Sequence, residues 1–134
     1  MKAQSLPLEL TIITIGSIIL ITGSITAFDT ITSSYDNAVQ EYHMQKALTD
    51  TTTTIYHLNS LNQDNARITY QTPNREKQEQ KYRITSSDTE IITQTNNREK
   101  TKNVSLIADR IQGESEQRDT SITKSGDIMV ITGE

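Results

Sequence analysis

The chain contains no cysteine and no tryptophan, one phenylalanine, two prolines, two histidines and five glycines in 134 residues. Without cysteine there is no disulfide framework, no thiolate nucleophile and no thiolate-ligated metal. The scattered glycines build no Gly-rich loop that could cradle a phosphate, and the Asp-x-Asp spacing of a calcium loop is missing. His43 and His57 are fourteen positions apart; on one helix they would share a face but stand about 21 Å apart at 1.5 Å per residue, too far to ligate one metal. Glu114 and Glu116 sit in a polar stretch with nothing to raise a pKa. No catalytic residue, metal or cofactor is expected, and the chain is not read as an enzyme. The scarcity of aromatics also limits the core. From Ser60 to Glu134 only 18 side chains are apolar or aromatic, and a short chain buries a small fraction of its surface.

Charge of either sign is equally diluted. The net charge is −4, and basic residues alternate with acidic ones, as in Asn74-Arg75-Glu76-Lys77 and Asn97-Arg98-Glu99-Lys100. This repeated tetrapeptide reads as a solvated charge run. No basic face emerges, so nucleic acid is not an expected partner.

What the chain does have is one uncharged run, Leu10 to Phe28, of 19 residues. As a helix it covers roughly 28 Å, the thickness of a bilayer's hydrocarbon. A cleaved secretory signal is the competing reading; against it, the leader carries one lysine, no Ala-x-Ala site closes the run, and the run passes directly into a helical pattern. The run holds four Thr, two Ser and two Gly among its eleven apolar residues. Gly16-Ser17 recurs as Gly23-Ser24, placing two small pairs on nearly one face. Such a face lets helices approach closely, and threonine hydroxyls can bond their own backbone carbonyls. Lys2 precedes the span and Asp29 and Asp36 follow it, so the positive-inside tendency directs the N-terminus to the cytoplasm and the remainder outside.

Lys2-Ala3-Gln4-Ser5-Leu6-Pro7-Leu8-Glu9, followed at once by the apolar run, resembles the processing region of archaeal type IV pilin-like proteins, which carry class III signal peptides, and of haloarchaeal membrane-anchored proteins of that kind. The resemblance covers roughly the first 50 residues. It implies cleavage by a prepilin-type peptidase at Lys2, Ala3 and Gln4, ahead of the hydrophobic segment: after Ala3, leaving Glu9 the sixth mature residue, or after Gln4, leaving it the fifth. It further implies self-association, or association with other pilin-like subunits, through the N-terminal helix into a surface filament used in adhesion. Glu9, Gly16 and Gly23 are the candidate assembly residues. A carboxylate at the edge of an apolar helix is costly unless paired, and a neighbour's mature N-terminal amine would pair it. The alternative is an interfacial glutamate favoured by the helix dipole.

Beyond the span, Ile31, Tyr35, Ala38, Val39, Tyr42, Lys46 and Leu48 fall mostly at spacings of three and four, and Ile55, Leu58 and Leu61 resume that spacing. One long helix from Leu8 to Leu58 is expected, frayed or bent at Thr51-Thr52-Thr53-Thr54, where β-branched residues lose side-chain freedom. After Asn62 the period becomes two. Ile68 and Tyr70 mark a strand, Lys81 to Thr95 a hairpin, and Val104 to Ile107 and Ile128 to Thr132 further strands. Ser121-Ile122-Thr123 and Ile128-Met129-Val130-Ile131 flank Lys124-Ser125-Gly126-Asp127, a strong hairpin signal. Pro73 to Gln80 and Gln112 to Asp119 read as loops. The expected fold is α+β: a long N-terminal helix, membrane-spanning in its first half, then a small antiparallel β-sheet domain. The divisions are a leader at 1–3 (or 1–4), a transmembrane segment at 4–28, an amphipathic continuation at 29–61 and an extracellular β-rich domain at 62–134. Asn103-Val104-Ser105 fits the N-glycosylation pattern, which matters for a domain outside the cell.

Overall fold

A computed structural model describes residues 5–61, 63–74, 81–96 and 98–134. The fold is α+β: one helix, α1 (Ser5–Ser60), followed by seven strands, β1 (Arg67–Gln71), β2 (Arg83–Ser87), β3 (Glu90–Gln94), β4 (Glu99–Asn103), β5 (Arg110–Ser115), β6 (Asp119–Ser125) and β7 (Ile128–Gly133). The chain divides into two compact units, Met1–Gln40 and Glu41–Glu134. The described part of the first is helical throughout. Pro7 is accommodated in the opening turn, where a backbone N–H would lack a helical partner anyway.

The second unit packs the last part of α1 on one face of a single sheet of order β1-β6-β7-β5-β2-β3-β4, antiparallel except for the central β5–β7 pair. Met44, Ala47, Leu48, Ile55 and Leu58 are buried on the helix. Opposite them lie Ile84, Ile91, Ile111, Ile122, Met129 and Ile131, one or two from each central strand, as period-two alternation requires. Each buried Leu, Ile or Met contributes about 1.5–3 kcal/mol on burial, and all of these side chains except Met44 belong to one contiguous core cluster.

The threonine run does not interrupt α1. Thr51, Thr52 and Thr54 are buried, and their hydroxyls donate to the carbonyls of Ala47, Leu48 and Asp50 at 2.7, 2.7 and 2.8 Å. Back-bonding removes the cost of burying three hydroxyls, so the helix continues to Ser60. The buried stripe is also rotated from the expected one: Tyr42 is exposed, Lys46 pairs in solvent with Asp50 at 2.8 Å, and Met44, Ala47 and Thr51 face inward instead.

Both expected hairpins form. Ser87 pairs with Glu90 across Asp88-Thr89, with Asp88 at φ 48°, and Ser125 pairs with Ile128 across Gly126-Asp127, with Gly126 at φ 60°. Aspartate tolerates the left-handed region and glycine enters it freely. Two expectations fail. Val104 to Ile107 is a turn, in which Val104 is buried in the core and Ile107 packs partly against it, and the strand lies just before it, as the charged Glu99–Asn103. This is an edge strand, where lysines discourage pairing with another sheet. Gln112 to Asp119 is not all loop: β5 runs through Ser115 and is hydrogen-bonded on both sides. The expected loop at Pro73 to Gln80 lies mostly outside the described residues.

Candidate assembly helix and the surface of the sheet unit

From Leu10 to Phe28 every large apolar side chain is at least 52% exposed in the isolated chain. Ten such side chains in water forgo roughly 15–30 kcal/mol of burial at 1.5–3 kcal/mol each, more than the whole net stability of an ordinary domain, about 5–15 kcal/mol. Among the described residues this is the one helix long and apolar enough to cross a membrane, a test that a signal sequence also passes.

All but one of the hydroxyls of this stretch, that of Thr22, are bonded within the helix. Thr11, Thr14, Ser17, Ser24, Thr26 and Thr30 each donate to the carbonyl four residues earlier, at 2.7 to 3.0 Å. Hydroxyls held this way present methyl groups and lone pairs rather than unbonded donors. Gly16 and Gly23 lie on nearly one face, two turns and about 10.5 Å apart. A Cβ added at either would meet nothing within 4 Å. Glycine inside a helix costs about 1 kcal/mol relative to alanine, so neither glycine is explained by packing within the chain. Gly23 instead floors a shallow open groove between Ile19, Thr22, Thr26 and Ala27.

Glu9 is exposed and lies past the first helical turn, in which no acidic residue occurs. The favourable dipole effect fades beyond that turn, which weakens the dipole as a sufficient reason for Glu9. Among the described residues Glu9 forms no ion pair. Lys2, Ala3 and Gln4, the expected processing site, lie outside the described residues. The structure thus sets Glu9, Gly16 and Gly23 along one helix.

On the sheet unit, one polar residue of the charge runs is held by several hydrogen bonds. Asn74 is buried; its Nδ2 donates to the carbonyls of Tyr82 and Glu116 at 2.7 and 3.0 Å, and its Oδ1 accepts from the Tyr82 N–H at 2.7 Å. It belongs to the first Asn-Arg-Glu-Lys run yet acts as a staple between two chain segments. The second run is not purely solvated either, because Arg98 and Lys100 both pair with Glu41 of α1. No signal in the sequence separates these two copies; their partners are distant along the chain.

The histidines do not converge. His43 is half-buried, its Nδ1 3.2 Å from the Tyr82 hydroxyl, whereas His57 is exposed. Burial pushes the Tyr82 phenol up from its ordinary value. No group of three metal-ligating side chains gathers among the described residues. Asn103, at the end of β4, is exposed. No family model, characterised protein or solved structure matches the chain.

Proposed function

We propose that this chain is a structural subunit, a pilin or minor pilin, of an archaeal type IV pilus-like surface filament, held in the membrane before assembly by residues 10–28 with the sheet unit outside. The observation that carries the reading is the uncharged helical stretch whose large side chains are all exposed, directly preceded by Glu9 and by a leader resembling a class III processing site. A helix that satisfies nearly all its own hydroxyls and carries two unneeded glycines on one face is suited to lipid first and to other helices afterwards. Close helix contact in a filament core supplies the packing that the glycines lack in the single chain. Pairing of Glu9 with the mature amine of a neighbour removes the cost of a carboxylate at the hydrocarbon edge and fixes subunit register.

A stand-alone, singly anchored surface protein is the second reading. It is favoured by one observation: the core of Glu41–Glu134 closes within that unit, without residues from the apolar stretch.

Glu9 separates the two. Glu9→Ala and Glu9→Gln are expected to accumulate in the membrane as well as wild type, because a charge near hydrocarbon opposes insertion (about 2.5–3.5 kcal/mol for Asp at the centre, less at the edge). Both are expected to be missing from filaments sheared off the cells. Equal recovery of all three versions in the sheared fraction would leave the stand-alone reading.

A further inference from the structure

Of the eight asparagines, one lies in an Asn-x-Ser/Thr sequence, Asn103-Val104-Ser105. The fold treats these three residues very differently. Val104 is 1% exposed, and its backbone is bonded on both sides: its N–H donates to the Thr89 carbonyl at 2.7 Å, and its carbonyl accepts from Ile107 and Ala108 at 2.8 and 3.0 Å. The middle residue is therefore an anchor in the core. Its two neighbours are turned outward, and both Asn103 and Ser105 are exposed.

The orientation of the Asn103 amide is fixed by chemistry. The Ser105 backbone N–H lies 2.9 Å from one amide atom of Asn103. Since that N–H can only donate, the facing atom is the oxygen. The nitrogen, Nδ2, has no protein partner among the described residues. Leu106, next in the turn, is 100% exposed, as an open turn requires. β4 is an edge strand, leaving one flank of Asn103 open as well.

We propose that Asn103 is an N-glycosylation site, taking its sugar from a lipid-linked oligosaccharide phosphate on the outer side of the membrane. In this transfer Asn103 Nδ2 forms a bond to the anomeric carbon of the donor. The bond from that carbon to the lipid phosphate oxygen breaks, the phosphate leaves with the electron pair, and one Nδ2 proton passes to a base of the transferase. No oxidation or reduction occurs. Anchored Val104 holds the acceptor amide and the Ser105 hydroxyl on the same open turn, which the sequence motif requires to be read together. The proposal rests on the outward orientation of the sheet unit proposed above.

The test is made on the full chain purified from its native membranes. Trypsin releases Asn103–Arg110 as one peptide, cut after Lys102 and Arg110. The wild-type peptide is expected to carry a mass increment of whole sugar residues. Asn103→Gln and Ser105→Ala are expected to yield only the bare peptide, and Ser105→Thr to retain the increment; loss in Ser105→Ala, which keeps Asn103, identifies the motif rather than the amide alone. Orientation is read separately by Ser87→Cys, an exposed position that becomes the chain's single cysteine, using a membrane-impermeant maleimide on intact cells. A bare wild-type peptide with Cys labelling from outside would overturn the glycosylation site and leave the orientation standing. A bare peptide without labelling would overturn the orientation, and the site with it.

Discussion

Gly113 of β5 and Ile131 of β7 meet so closely that a Cβ on the glycine would lie 2.2 Å from the Ile131 carbonyl oxygen. They are partners in the parallel pair at the centre of the sheet, and Gly113 adopts φ 107°, which side chains rarely tolerate. The obstructing atom is backbone and cannot swing away. Gly113→Ala is expected to destabilise the sheet unit by about 2 kcal/mol or more, combining backbone strain with overpacking. A urea midpoint unchanged from wild type would show that β5 does not lie against β7 in this register.

The helix is expected to be indispensable to the sheet. Glu41–Glu134 expressed alone should unfold in one cooperative thermal transition followed by circular dichroism, whereas residues 62–134 should show none. The shorter fragment loses Met44, Ala47, Leu48, Ile55 and Leu58 from the core. Truncating a single buried Leu, Ile or Met to Ala costs roughly 2–5 kcal/mol, so losing the whole face exceeds the net stability of a small domain. A cooperative melt of residues 62–134 would contradict the arrangement.

The two hairpins, the terminal strand and the long helix were legible because each announces itself locally. Gly126-Asp127 sits between two apolar, β-branched runs, and the core side chains of α1 recur at three and four. What was not legible depends on distant partners. β5 buries only Ile111 and Ser115, four residues apart and one of them polar, so no apolar period appears. β4 is written in charge because it is an edge. Val104 and Ile107 look like a strand because they are apolar, yet only Val104 is fully buried, in a turn. At the candidate assembly helix, Glu9, Gly16 and Gly23 are candidates on sequence grounds, and the structure adds only that Glu9 is exposed and that a Cβ at either glycine would meet nothing within 4 Å. Asn74 was hidden because its three hydrogen bonds reach segments 8 and 42 residues away.

Alkaline pH is expected to destabilise the sheet unit through Tyr70. Its hydroxyl lies 2.6 Å from Thr51 Oγ1, and burial raises the phenol well above its ordinary value, the Thr51 hydrogen bond opposing in part. In the unfolded chain a tyrosine loses its proton near pH 10. Above that, the unfolded state holds fewer protons than the folded one, so stability is full below about pH 10 and falls as pH rises further. Urea midpoints of Glu41–Glu134 between pH 7 and 11.5 should be limited by this decline at the alkaline end. Tyr70→Phe should flatten it while costing about 1 kcal/mol at neutral pH for the lost hydrogen bond. Some slope should remain from Tyr82, also raised by burial, and a little from exposed Lys46, raised by Asp50. An identical pH profile for Tyr70→Phe would show that this phenol is not buried against α1.

The proposal of a processed, filament-forming subunit is tested most directly by the intact mass of the protein taken from membranes, read together with its first residues by N-terminal sequencing. The account predicts a mature chain beginning at Gln4 or Ser5, with the apolar stretch retained and Glu9 at its sixth or fifth position. A chain still beginning at Met1 would contradict processing and favour a stand-alone anchor. A chain beginning after Phe28 would show that residues 10–28 serve as a discarded signal, and would remove the assembly helix altogether.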